Sequence, residues 1–167
     1  MRGKVFILNG NATCGKDTFA SIVANYVPTI HFSIVDPVRN IMLNLPDEVG
    51  VDLNNKDEKL RKLTSDIKLA LEGFSDYPYR KVKDFLAKAI NKYSCIFIDM
   101  REKQDIKRLK QEYGAQVIFI ENKRAPQITS NIADAKIHEN PYDVLIENNG
   151  TLEELEEEAK RFICACL

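Results

Sequence analysis

The chain has little sulfur or imidazole from which to build a metal or redox centre. Its four cysteines, Cys14, Cys95, Cys164 and Cys166, include no Cys-x-x-Cys pair, and there are two histidines. The ligand spacing of a structural zinc site is therefore missing. Cys164 and Cys166 stand two apart in a predicted helix and point in different directions. A reduced, cytoplasmic protein accounts for this cysteine usage. Excess charge is missing too: 24 Lys plus Arg against 25 Asp plus Glu leave a net charge of −1. That balance excludes a general attraction to nucleic acid or to an anionic membrane. No apolar run reaches the ~20 residues of a membrane span, and no signal-peptide pattern opens the sequence. Repeats and low-complexity tracts are absent, and 167 residues suit a single domain, 1–167, with a substantial core.

Against these absences one stretch stands out. Gly10-Asn11-Ala12-Thr13-Cys14-Gly15-Lys16-Asp17-Thr18 follows the apolar run at residues 5–8. A glycine, four residues and Gly-Lys form a phosphate-binding loop. The glycines let successive backbone N–H groups point at an anion, Lys16 reaches the outer phosphates, and the following helix adds its positive end. The context fits: residues 5–8 read as a strand buried on both faces, and Phe19, Ile22, Val23 and Tyr26 recur at helical spacing. Asp17 takes the place of the hydroxyl residue that usually contacts magnesium. Thr18 does not replace it, because one helical step turns a side chain by about 100°. A carboxylate beside a triphosphate is repelled unless a cation lies between them, so Asp17 is expected to act through Mg²⁺, directly or through water. The competing role is a first-turn helix charge. Cys14 sits at the mouth of the same helix, which favours a lowered thiol pKa, although an inert loop position is the simpler expectation.

Four more strands are predicted at residues 30–35, 95–98, 117–120 and 144–146, with helices between them. Ile106, Leu109 and Tyr113 form a stripe that Gly114 stops. Thr151-Leu152-Glu153-Glu154 reads as a capping box, followed by an apolar face of Leu152, Leu155, Ala159, Phe162 and Ile163. Alternating strands and helices predict a parallel sheet covered on both faces, with ligands outside the carboxyl ends of the strands. Asp36, Asp99, Arg101, Lys123, Arg124, Asn148 and Asn149 would all fall there. Residues 37–94 form a long insertion between strands two and three. It opens with a loop at 44–55 and continues with a helix through Leu60, Leu63, Ile67 and Leu71. A break at 73–78 leads to a second helix through Val82, Phe85, Leu86, Ala89 and Ile90.

Four apolar residues and Asp99 repeat the pattern that brings a carboxylate near magnesium in phosphate-loop proteins. An N-cap is the alternative role for that Asp. Arg101 lies on the same side, two residues on. Taken in order, Gly15-Lys16-Asp17-Thr18, Asp36-Pro37, Asp99-Met100-Arg101 and residues 143–155 resemble the bacteriophage-type deoxynucleoside monophosphate kinases, within the adenylate-kinase-like superfamily. The likeness touches most of the chain except 44–91. It implies an α/β fold, the three-layer P-loop nucleoside triphosphate hydrolase fold, with a five-stranded parallel core and the helical insertion between strands 2 and 3. It also implies transfer of the ATP γ-phosphoryl group to a small nucleotide acceptor. In that scheme Gly10 to Thr18 hold the ATP phosphates, with Lys16 on the β and γ groups, and Asp17 and Asp99 hold Mg²⁺. Arg101 and Arg124 stabilise the moving phosphoryl group. Asp36, Arg39, Arg61 and Arg80 bind the acceptor through the 37–94 insertion. For Arg61 and Arg80 a plain surface role is the alternative.

The sequence departs from this pattern in its lid-like segment, 122–142, where Arg124 is the single arginine. The Gly-Lys-Asp loop also resembles that of animal-type phosphomevalonate kinases, so another phosphorylated metabolite is an alternative acceptor, with dephospho-coenzyme A kinase more distant. A nucleotide-binding module with little turnover is the reading from outside enzymes. A guanine-specific switch is disfavoured, because Ala125 stands where base recognition needs an Asp. Oligomeric state is left open.

Overall fold

In the computed structural model the described residues are 2–45, 47–53, 58–125 and 141–167. Five strands, β1 (Lys4–Asn9), β2 (Thr29–Ser33), β3 (Cys95–Asp99), β4 (Gln116–Glu121) and β5 (Val144–Glu147), make one parallel sheet in the order β2-β3-β1-β4-β5. The central strand pairs with both neighbours, Val5 with Ile96 and Ile7 with Ile98 on one side, and Ile7 with Val117 on the other. Strands in such a position have both faces covered, so they read as continuous apolar runs.

Side chains alternate across the sheet, and this splits the core in two. Phe6, Leu8, Phe97, Ile118 and Ile120 face α1 (Lys16–Ala24) and the C-terminal helix α6 (Leu152–Cys166). Phe162 stands edge-on to Phe6, with centroids 4.9 Å apart, and packs on Phe19 at 5.5 Å. Val5, Ile7, Ile96, Ile98 and Val117 face α4 (Tyr77–Ala89) and α5 (Lys103–Tyr113). The result is three layers, helix on sheet on helix.

Between β2 and β3 run α2 (Asp36–Met42), a 3₁₀ turn (Asp47–Val49), α3 (Glu58–Ser75) and α4. The predicted break at 73–78 forms and is narrowed to Asp76. Helix α3 runs through Gly73, at a propensity cost of about 1 kcal/mol, and stops where Asp76 turns left-handed at φ 53°. Asp76 is fixed there by Arg108 of α5, whose two nitrogens donate to its two carboxylate oxygens at 2.9 and 2.6 Å. The Arg108 guanidinium also lies 3.7 Å over the Tyr79 ring. Two other local expectations need correcting. Helix α1 ends at Ala24, leaving Tyr26 half-exposed, and Leu152 lies out in solvent while Leu155, Ala159 and Phe162 are buried. The Gly114 stop (φ 65°) and the reciprocal capping box of Thr151 and Glu154 form as the sequence predicts.

Candidate active site

Chain reversal between β1 and α1 shapes the phosphate loop. Gly10 has φ 137°, and a Cβ there would stand 2.5 Å from the Ile120 carbonyl oxygen. Gly15 has φ 100°, and its Cβ would meet Asn148 Nδ2 at 2.3 Å. Both positions demand glycine. The loop is pinned from two sides. Asn9, buried at the end of β1, accepts the Gly10 N–H through Oδ1 at 2.9 Å. Asn148, just past β5, donates from Nδ2 to the Cys14 carbonyl at 2.9 Å. Lys16 Nζ donates to the carbonyls of Gly10 (3.1 Å) and Asn11 (2.9 Å), so its ammonium lies over the loop. Cys14 is fully buried beneath. Burial pushes its thiol up and outweighs the nearby Lys16, contrary to the lowered value its position suggests.

A cleft of about 590 Å³ opens beside the loop. Lys16, Asp17 and Thr18 line one wall, and Asp99 and Arg101 come from the end of β3. Asp36 and Arg39 come from α2, and Arg61 from α3. Asp36 Oδ2 accepts the Ser33 N–H at 3.2 Å, and Asp36 Oδ1 lies 3.8 Å from Arg39. Burial pulls Arg101 below the usual arginine value, with Asp99 and Glu102 opposing it. Arg101 stays charged, as arginine does in proteins. Arg80 is different: it is exposed on α4 and is not among the residues lining the cleft. Arg124 is exposed beyond β4, its N–H donating to Asn122 Oδ1. Most of the lid-like segment, residues 126–140, lies outside the described residues.

Two features escaped the sequence reading. His31 of β2 reaches the cleft between two acids. Its Nδ1 is 3.8 Å from Asp17 Oδ1 and its Nε2 is 3.2 Å from Asp99 Oδ1. The closer pair is not aligned as a hydrogen bond, and both atoms are buried without a hydrogen-bond partner. Burial works against the imidazolium, but the carboxylates of Asp99, Asp17 and Asp36 prevail and hold the pKa above its ordinary 6.5. One donor atom each from Asp17, His31 and Asp99 lies within 4.8 Å of the others. The second feature is Lys68 of α3, buried at the cleft wall. It contacts Glu72, Glu102 at 2.9 Å and Asp105 at 3.7 Å.

Residues 76–159 match the family model for deoxynucleotide monophosphate kinase, half of the chain. The chain belongs to the deoxynucleotide monophosphate kinase family. For a kinase of this family a small nucleotide substrate and a divalent metal are the expected ligands, and the match spans Asp99, Arg101 and Asn148. Three solved structures share the fold. TT1252 from Thermus thermophilus is 15% identical, with 100% of each chain covered and a TM-score of 0.56. Thymidylate kinase from Candida albicans is 12% identical over 98% of this chain and 92% of its own, with a TM-score of 0.56. Dephospho-CoA kinase from Campylobacter jejuni is 15% identical over 98% and 97%, with a TM-score of 0.52. No curated protein matches the sequence. Among the described residues no helix is long and apolar enough to cross a membrane.

Proposed function

We propose that this cleft transfers the γ-phosphoryl group of ATP to a nucleoside or deoxynucleoside monophosphate. The observation that carries the reading is the convergence on one cleft of Lys16 and Asp17 from the loop, Asp99 and Arg101 from β3, and Arg39 and Arg61 from the helical arm. Phosphoryl transfer demands little covalent chemistry from a protein. It demands alignment of the two phosphates and cancellation of their charge. The loop N–H groups hold the triphosphate, and Lys16 exchanges the Gly10 and Asn11 carbonyls for the β and γ oxygens. Arg101, half-buried at the β3 end, faces the transferred group, where a cation acts most strongly. Arg39 and Arg61 hold the acceptor phosphate. Asp36 orients Arg39.

The donor set at the cleft fits a divalent cation, since two carboxylates converge there and Asp99 Oδ1 has no hydrogen-bond partner. Asp17 and Asp99 are the residues that would hold Mg²⁺. When bound, such an ion neutralises charge between the phosphates and these acids. Arg124, exposed beyond β4, is the second arginine assigned to the transferred group, beside Arg101. The enzyme so read is a cytoplasmic small-molecule kinase that uses neither nucleic acid nor membrane.

The test is to incubate the purified protein with ATP, Mg²⁺ and each ribo- and deoxyribonucleoside monophosphate, and to quantify the diphosphates. Acceptor-dependent product with one or a few bases is expected. ATP binding without diphosphate from any acceptor would overturn the reading and favour a phosphorylated metabolite as acceptor.

A further inference from the structure

His31 has no place in the scheme above, yet it sits at its centre. It projects from β2 beside β3, where His31 pairs with Phe97 and Ser33 with Asp99. The ring thus lies one pleat from the carboxylate it faces. Its Nε2 is 3.2 Å from Asp99 Oδ1, and neither atom has a hydrogen-bond partner. Asp17 approaches the other edge of the ring with its side chain 91% exposed, free to swing on the first turn of α1. A nitrogen and two carboxylate oxygens therefore converge within 4.8 Å beside Lys16.

We propose that His31 is a nitrogen ligand of the divalent cation in this cleft, so that the site takes a first-row transition-metal dication, even one as weakly binding as Mn²⁺, in preference to Mg²⁺. The chemistry follows from donor type. Mg²⁺ prefers oxygen and sheds water reluctantly, so a nearby imidazole adds little to its affinity. Imidazole binds the later first-row dications, and affinity for a mixed nitrogen and oxygen site rises from Mn²⁺ onward. Asp17 matters for the same reason. It supplies a second anionic oxygen beside the imidazole, where a hydroxyl would offer a neutral one.

The competing account makes His31 a fixed positive charge between two acids. Metal selectivity separates the two. Mn²⁺ and Mg²⁺ carry the same charge, so a purely electrostatic His31 affects both alike, whereas a ligand affects their ratio. The proposal rests on the cleft being the phosphoryl-transfer site, but the test uses metal alone, without nucleotide. Its failure leaves the diphosphate assay untouched.

The intact protein, in nitrogen-free buffer, is titrated with Mn²⁺ while free ion is followed by electron paramagnetic resonance, and the bound ion is probed by pulsed methods for ¹⁴N coupling. Mg²⁺ affinity is read by competition. Native protein is expected to show imidazole ¹⁴N coupling. His31→Asn should abolish it and lower the Mn²⁺-to-Mg²⁺ affinity ratio by about tenfold or more, a loss seen even when outer-shell partners are removed. The ¹⁴N measurement on native protein needs no variant, so misfolding of His31→Asn does not protect the proposal. Bound Mn²⁺ without ¹⁴N coupling, no Mn²⁺ binding at millimolar concentration, or an unchanged ratio in the folded variant would each overturn it.

Discussion

Asp105 of α5 is a buried acid that the protein should be better without at neutral pH. It is 5% exposed, and its Oδ2 has no hydrogen-bond partner. Burial pushes its carboxyl up from the ordinary 3.8 to about 6; Lys68 and Arg108, each 3.7 Å away, oppose the rise, and Glu72 and Glu102 add to it. The folded-state pKa is raised, so the folded protein binds this proton more tightly than the unfolded chain. The stability so gained is complete below 3.8 and is lost as pH rises through about 6. At about 1.36 kcal/mol per pH unit the loss amounts to about 3 kcal/mol. Asp105→Asn keeps the shape, forfeits no hydrogen bond at Oδ2, and leaves Lys68 facing Glu72 and Glu102. It should therefore match the native protein near pH 4 and exceed it by about 3 kcal/mol near pH 8. Urea unfolding reads this directly, as a midpoint rise of about 1–3 M at the higher pH. A variant less stable than the native protein near pH 8 would refute the reasoning. It would mean that attraction to Lys68 and Arg108 exceeds the burial penalty.

Other outcomes follow from the cleft. Lys16→Ala should lower diphosphate formation by at least about 10²-fold, the scale for removing one preorganised donor; full turnover in that variant would disprove the loop assignment. Asn148→Ala removes the bond to the Cys14 carbonyl, worth about 0.5–1.5 kcal/mol, and should weaken ATP binding about 2- to 10-fold in a direct titration. Arg61→Ala should raise the acceptor KM by about tenfold or more, whereas Arg80→Ala, outside the cleft lining, should leave it unchanged. Equal effects in both arginine variants would move the acceptor away from α3.

What the sequence revealed and what it hid divide along a physical line. Features set by neighbours in the chain were legible. The strand at 5–8 reads as apolar because both faces are covered, Gly114 stops α5, and Thr151 with Glu154 caps α6. The order of elements was enough for the parallel sheet. Features set by distant partners were not. Within the predicted break at 73–78 the turn falls at Asp76 because Arg108, 32 residues on, grips it. Cys14 is inert because the loop folds over it, which no local pattern reports. His31 reads as one residue of a half-covered strand until β2 is laid against β3. Leu152 keeps the helical period but falls on the solvent side of α6. Arg80 and Arg61 look alike in sequence, and only the path of α3 and α4 separates them.

The Asn148 bond has a consequence for synthesis. The loop at residues 10–17 precedes Asn148 by more than 130 positions, and the bond that pins it spans 134. Phe162 of α6, later still, completes the packing around Phe6 and Phe19. At about 5–20 residues per second on the ribosome, the interval between loop and partner is roughly 7–27 s. The nucleotide-binding motif therefore emerges early and is completed late. A nascent chain holds the sequence for gripping a triphosphate long before it holds the shape, and triphosphate affinity should appear only once β5 and α6 have docked.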